Sequence, residues 1–263
     1  MPLEKKYLDL IQGAFSYSFE NEVLERFSSL FDCVVATNEK INITSLLSPI
    51  DVSLKHIVDS LALFCDDEFL SHIDRAQMIC DIGCGGGFPG LPVASVRKDK
   101  KIAMIDSTEK KIVALKENAK ILNLENVDPI WGRGEELAGK DGKHREKYDL
   151  CLSRAVARLP VLCELCLPFV KTGGIFYALK GAQALQEVDE SSKAIPMLGG
   201  KLVEVKKIDF DLSFALKMDF SEEEKEKIEQ FARAERYLVK IEKKKATNVI
   251  YPRKWAQMTK KSL

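Results

Sequence analysis

Asp81-Ile82-Gly83-Cys84-Gly85-Gly86-Gly87-Phe88-Pro89-Gly90 decides the fold of this chain. An apolar run over residues 77–82 carries Asp81 near its end and passes into a turn holding Gly83, Gly85, Gly86, Gly87 and Gly90, and Pro89 to Val96 reads as a helix. Glycine lacks a Cβ, so the backbone turns sharply here and passes within contact distance of a ligand. Strand, glycine turn and helix in that order make the ligand-binding corner of a doubly wound sheet, at the carboxyl edge of its central strand.

Downstream of the turn, short apolar runs near 101–106, 126–131, 148–153 and 174–180 alternate with helical segments. That alternation predicts a parallel sheet with right-handed crossovers. Lys201 to Ile208 and Arg236 to Glu242 read as two more strands, a closing antiparallel hairpin. The expected fold is therefore α/β and Rossmann-like, a mostly parallel seven-stranded sheet. Between the last two strands, Ser221-Glu222-Glu223-Glu224-Lys225-Glu226-Lys227 has the serine-then-acid pattern of a helix start, and residues 211–232 read as an insertion.

Upstream, residues 1–70 read as a helical extension. Val23, Phe27, Leu30, Phe31, Val34 and Val35 share one face of a helix from Glu22 to Ile41. A second helix runs from about Pro49 to Phe64, with Ser48 as cap, Pro49 at the first helical position and Asp51 at the positive end of the dipole. The predicted divisions are thus 1–70, a core domain over 71–242, and a basic tail over 243–263.

At 263 residues, 46% hydrophobic and 30% charged, the chain suits one substantial core with extensions. Forty basic residues balance forty acidic ones, so only local clusters of charge point to a polyanion. No run approaches the ~20 apolar residues of a membrane span, and the N-terminus lacks a signal pattern, so a cytoplasmic protein without membrane contact is expected. Seven cysteines, at 33, 65, 80, 84, 151, 163 and 166, sit mostly in apolar runs and read as reduced core thiols. Cys163-Glu164-Leu165-Cys166 has no second pair or nearby histidine to complete a metal site, and no metal is expected.

The cofactor class follows from the acids around the turn. Asp106 ends the second strand nineteen positions after Gly87, where a carboxylate accepts both hydroxyls of an adenosine ribose. A GxGxxG match beginning at Gly85 keeps a nicotinamide dinucleotide open, although the same match begun at Gly83 fails at Phe88. Asp81 tilts the choice: beside the first glycine a carboxylate opposes a pyrophosphate but suits the ammonium of a methionine moiety. S-adenosylmethionine is therefore favoured over NAD(P), with a plain capped turn as the bland reading of Asp81. The loop Gly132-Arg133-Gly134-Glu135-Glu136 after the third strand closes on the adenine, with backbone groups of Gly134 and Glu135 as contacts, or else its acids serve only as the first turn of a short helix.

Arg154 and Arg158, just after the fourth strand, face the ligand edge in this topology; Arg154 suits the methionine carboxylate or a phosphate, with a plain surface arginine as the alternative. His56, Asp59 and Ser60 share a helical face, yet no GxSxG elbow accompanies them; they read as hydrogen-bonding links between the N-terminal helices and the sheet. From Lys240 to Leu263, eight basic residues stand against Glu242, with Tyr251 and Trp255 interleaved, a pattern for RNA phosphates and bases or for a solubilising tail.

In this order the pieces resemble one family. Asn38-Glu39-Lys40-Ile41-Asn42-Ile43-Thr44, His56-Ile57-Val58-Asp59-Ser60-Leu61, the glycine turn, Ile105-Asp106-Ser107 with Lys110-Lys111, Arg133-Gly134-Glu135-Glu136, Ser153-Arg154-Ala155 and Ala178-Leu179-Lys180-Gly181 are similar to bacterial ribosomal RNA small subunit methyltransferase G, also called glucose-inhibited division protein B. The resemblance implies S-adenosylmethionine-dependent methylation of guanine N7 in 16S ribosomal RNA, in the cytoplasm. It maps cofactor contacts onto Gly83, Phe88, Gly134, Glu135 and Arg154, beside Asp81 and Asp106. Arg158, Lys180, Arg253 and Lys254 are the expected RNA contacts, 16S RNA or the small-subunit particle the partner, and a monomer the expected state. No residue is assigned as catalytic, because N7 carries a free lone pair and loses no proton. The rivals are an NAD(P)-linked oxidoreductase and a non-catalytic RNA-binding factor on the same fold.

Overall fold

The computed structural model describes residues 2–263. β1 (Met78–Ile82), β2 (Lys101–Asp106), β3 (Val127–Trp131), β4 (Tyr148–Arg154) and β5 (Val170–Lys180) lie parallel. β6 (Gly200–Lys207) and β7 (Tyr237–Lys243) complete one seven-stranded sheet of order β3-β2-β1-β4-β5-β7-β6, in which β7 is antiparallel to both neighbours. The fold is the expected Rossmann-like one, with the chain reversing direction across the sheet between β1 and β4. β5 begins four residues earlier than the apolar run suggests, because Lys171 to Gly174 are polar or side-chain-free yet continue the strand.

The helices are, in chain order, α1 (Lys5–Gly13), α2 (Asn21–Lys40), α3 (Pro49–Asp51), α4 (Asp67–Arg75), α5 (Gly90–Val96), α6 (Glu109–Ile121), α7 (Gly134–Leu137), α8 (Leu159–Cys166), α9 (Ala184–Glu190), α10 (Ala194–Met197), α11 (Glu222–Arg233) and α12 (Trp255–Lys260). One face of the sheet packs on α1 to α6 and α11, through residues such as Phe27, Leu30, Phe69 and Leu115. The other packs on α7 to α10 and α12, through Leu162, Cys166, Ile195 and Met258. Alternation along β1 assigns its side chains to these layers: Ile79 to the first, Cys80 and Ile82 to the second. Asp81 therefore points toward α5.

The helix predicted over 49–64 is a composite. After α3, a π-helical stretch runs over Val52–Val58 and a 3-10 turn over Leu61–Cys65. Ser48 caps as expected, its hydroxyl accepting from the Asp51 N–H at 3.3 Å and donating to the Asp51 carboxylate at 2.6 Å. A π turn widens the backbone and re-aims side chains, and such turns recur at functional sites; this one carries His56.

The segment between β6 and β7 crosses back to the N-terminal helices. Phe210, Phe220, Ile228 and Phe231 are buried with α1 and α2, Tyr7 donates to Glu224 at 2.5 Å, and Lys227 pairs with Asp51 at 3.0 Å. Ser221 and Glu224 form a reciprocal capping box at the start of α11, as the serine-acid pattern predicts.

Two lysines of the basic run are core groups. Lys240, 2% exposed, bridges Glu68 and Glu204. Lys243 is fully buried and donates to the carbonyls of Leu167 at 2.5 Å and Val170 at 3.2 Å and to Thr247 at 2.7 Å. Burial holds its ammonium pKa down at about 8. β7 is an interior strand, so its side chains project into packed layers whatever their charge.

Candidate cofactor and acceptor site

The carboxyl ends of β1 to β4 enclose a cleft of about 450 Å³ with the glycine turn on its wall. Gly83 has φ of +72°, and a Cβ there would overlap the Val156 side chain. Both facts require glycine, and both bring bare backbone to the cleft surface.

Asp106 lies on the cleft wall. One carboxylate oxygen accepts from the Gly85 N–H at 2.9 Å and the other from the Thr108 N–H at 2.8 Å. Each oxygen retains a second lone pair, so the group is fixed in place and still able to accept two hydroxyls.

Asp81 does not line the cleft. It is 0% exposed, one oxygen accepts from the Gly90 N–H at 2.9 Å, and the other has no partner. Burial raises its pKa to about 7. The ammonium-binding role read from the sequence does not match this placement: β1 turns the carboxyl toward α5, where it fastens the turn to the helix start.

Arg154 lines the cleft from β4. It donates to the Lys55 carbonyl at 2.9 Å and to Asp59 at 2.8 Å, and Asp59 in turn accepts from Arg236 at 2.7 Å. Asp59 thus ties the π segment to β4 and β7, as its helical face predicted, whereas Ser60 only donates to the His56 carbonyl at 2.5 Å. His56 stacks on Phe88 with ring centroids 4.8 Å apart and meets Thr44 at 3.1 Å. Burial, with Arg154 nearby, depresses the imidazole pKa to about 4, leaving it neutral.

Gly134 and Glu135 line the same cleft at the start of α7. A Glu135 oxygen accepts from the Trp255 backbone N–H at 3.3 Å, and Trp255 is itself on the cleft wall. Of the expected RNA contacts, Arg158 is exposed and pairs with Glu190 at 2.5 Å, and Lys254 is exposed at the start of α12. Lys180 is mostly buried against Glu187 at 2.6 Å. Arg253 turns inward: it grips Glu164, which is 0% exposed, at 2.6 Å and 2.8 Å. The buried Glu164 draws the guanidinium in, so Arg253 anchors the tail instead of presenting its charge to solvent.

The family model of rRNA small subunit methyltransferase G matches residues 23–213. The chain belongs to the rRNA small subunit methyltransferase G family. Similar curated members bearing the name Ribosomal RNA small subunit methyltransferase G come from Clostridium tetani, 36% identical over 98% of this chain and 99% of that one, and from Clostridium novyi, 37% identical over 100% of both. Brevibacillus brevis has another, 38% identical over 99% of this chain and 100% of that one. Among solved structures, the O-methyltransferase from Bacillus cereus in complex with SAH matches with a TM-score of 0.52, 13% identity, 82% of this chain and 91% of that one. That likeness concerns the fold. As a member of the family, the chain is a methyltransferase.

In this family member, two parts of the wall escaped the sequence reading. Trp255 read as a tail aromatic, since nothing local reveals that Arg253 pulls the tail across α8. Ile43 and Thr44 reach the cleft because Asn38 accepts from both their N–H groups, at 2.8 Å and 2.9 Å. The signal was there in Asn38-x4-Ile43-Thr44, a short acceptor followed by a break in the helical period.

Proposed function

We propose that the protein transfers the methyl group of S-adenosylmethionine to N7 of a guanine in 16S ribosomal RNA, as a cytoplasmic monomer acting on the assembled or assembling small subunit. The observation that carries the reading is the coincidence of the family match with a cleft built for an adenosine. Asp106 is held by two backbone N–H groups with two lone pairs to spare. The volume falls within the ~300–1,000 Å³ usual for small-molecule sites. Among the described residues no helix is long and apolar enough to cross a membrane.

The residues divide the work. Asp106 accepts the ribose hydroxyls, and the backbone of Gly134 and Glu135 meets the adenine. Arg154, already oriented by Asp59, offers its remaining N–H groups to the methionine carboxylate. Gly83 lets the chain approach the ligand, Phe88 on His56 gives an apolar wall, and Asp81 holds the turn from behind. When bound, the cofactor supplies an electrophilic methyl on a sulfonium. A second hollow of about 280 Å³ shares Arg154 and Ala155 with the cleft, and the acceptor base enters there, unstacked from its RNA. Arg158 and Lys254 take phosphates; Lys180 steadies the acceptor hollow, and Arg253 holds the tail.

Guanine N7 attacks with its own lone pair, so the site needs alignment and no general base. Proximity alone is worth up to ~7–11 kcal/mol. The neutral His56 and the buried Asp81 are consistent with a site that takes no proton from substrate.

The test is mapping of 7-methylguanosine in 16S RNA from strains with and without the gene, complemented by the wild-type and Asp106→Ala proteins. Loss of the modification on deletion, restored only by wild type, is expected. Undiminished methylation in the deletion strain assigns the chain a non-catalytic role. Calorimetry giving tight NAD binding and none of S-adenosylmethionine overturns the cofactor.

A further inference from the structure

The second hollow carries more information than its position. Its wall includes Asp59, Arg154, Lys180, Glu235, Arg236 and Tyr237. Most of its polar groups are already committed. Asp59 gives one oxygen to Arg154 and the other to Arg236. Lys180 pairs with Glu187 at 2.6 Å. Arg236 donates to Asp59 and to the carbonyls of Phe231 and Ala234 at 2.7 Å and 2.8 Å, and its guanidinium lies 3.6 Å over the Phe231 ring. Glu235 is different: it is exposed, and among the described residues it has no hydrogen-bond or ion-pair partner.

Glu235 is nonetheless held on a rigid mount. It sits between the end of α11 and the start of β7, and the Arg236 side chain clamps that junction. The Arg236 carbonyl accepts from the Ile208 N–H at 2.9 Å, continuing the sheet ladder past β6. On the wall that this hollow shares with the cleft, Ala155 has φ of +56°, a strained conformation for a residue with a Cβ, of the kind that concentrates at ligand sites. At Gly181 an added Cβ would meet nothing within 4 Å, so that wall is open.

Resting on the proposed guanine-N7 reaction, we infer that Glu235 recognises the acceptor by its Watson–Crick edge, accepting hydrogen bonds from guanine N1–H and the 2-amino group. N7 and O6 lie on one edge of guanine and these two donors on the other. A base that turns N7 toward the methyl donor beyond Arg154 and Ala155 therefore presents its donors to the far wall. A carboxylate accepts both in parallel, and adenine, with an acceptor at N1, leaves the carboxylate facing a lone pair. Tyr237 lies beside the same position as a stacking surface.

The chemistry strengthens this contact as it proceeds. The N7 lone pair forms the new bond to carbon while the carbon–sulfur bond breaks and its electron pair stays on sulfur. Positive charge passes from the sulfonium to the purine, and N1–H becomes a stronger donor. An anionic acceptor at that edge thus binds the transition state more tightly than the ground state.

The experiment uses small-subunit particles reconstituted with guanosine or inosine, which lacks the 2-amino group, at the methylated position. Wild-type enzyme and the variants Glu235→Ala and Glu235→Gln are compared for kcat/KM, for S-adenosylhomocysteine affinity and for Tm. A bidentate base contact corresponds to a loss of about 5- to 140-fold. Glu235→Ala is expected to lose that factor on guanosine particles and a distinctly smaller one on inosine particles, which keep N1–H but lack the second donor, with cofactor affinity and Tm unchanged. Full activity of Glu235→Ala on guanosine overturns the inference, as does an equal loss on both particles. Absence of any transfer by the wild-type enzyme, with cofactor bound, overturns the underlying reaction, and the inference with it.

Discussion

Replacing Asp81 by asparagine separates a structural carboxyl from a ligand-binding one. An ordinary aspartate titrates near 3.8 and Asp81 at about 7, because burial opposes its charge. Each pH step between these values is worth about 1.4 kcal/mol, so complete ionisation costs the fold about 4 kcal/mol. Between about pH 4 and pH 7 the folded chain keeps a proton that the unfolded chain has released; this group's contribution therefore falls as pH rises through that window. Asparagine has no proton to lose and still offers an oxygen to the Gly90 N–H. The variant should gain on the parent by about 3 kcal/mol between pH 4.5 and pH 8, or about 6–12 °C in Tm for a chain of this size. Thermal unfolding at the two pH values measures it, with calorimetry of S-adenosylhomocysteine alongside; affinity should stay within about 3-fold, less than the 1.4 kcal/mol of a tenfold change. A Tm difference independent of pH, joined to a tenfold or greater loss of affinity, refutes the reasoning and returns Asp81 to the ligand.

Asp106→Asn keeps the shape of the carboxylate but removes its charge and half its acceptors; S-adenosylhomocysteine affinity should fall at least tenfold, since hydrogen bonds to a charged group are worth about 1.5–3 kcal/mol, and unchanged affinity by calorimetry would remove it from the site. Arg253→Ala removes the cationic partner of the fully buried Glu164, leaving it only the backbone N–H of residue 253, and should lower unfolding free energy in urea by about 3–5 kcal/mol; an Arg253 engaged chiefly by RNA would leave stability intact and weaken particle binding instead. The chain has two tryptophans, so Trp131→Phe isolates Trp255, whose emission should change on saturation with S-adenosylhomocysteine because it lines the cleft. Constant emission at calorimetric saturation would take Trp255 off the cofactor wall.

Much of the fold was legible because its signals are local. The β1, β2 and β4 runs are largely apolar on both faces, as strands sandwiched between helices must be, and glycine at Gly83 answers a demand of its own backbone, a φ of +72°. Asp106 was legible for the same reason: it ends a strand beside the glycine turn, and the register of β1 with β2 brings its carboxylate to the Gly85 N–H. The N-terminal helices and the capping box of α11 were likewise written in short-range periodicity and spacing.

What escaped the sequence concerns direction and partnership. Whether Asp81 faces a ligand or a helix depends on which side of β1 receives α5. Whether Lys240, Lys243 and Arg253 meet RNA or a carboxylate or carbonyl of the fold itself depends on β7 lying inside the sheet and on Glu164 waiting under the tail. The sequence by itself determined the order of strands and helices, the glycine corner and the position of Asp106 beside it, since backbone conformation and apolar periodicity act over a few residues. Only the tertiary structure decided which charges are spent inside and which, like Glu235, remain free for a substrate, because a charge's fate is set by the groups that packing brings to it from distant parts of the chain.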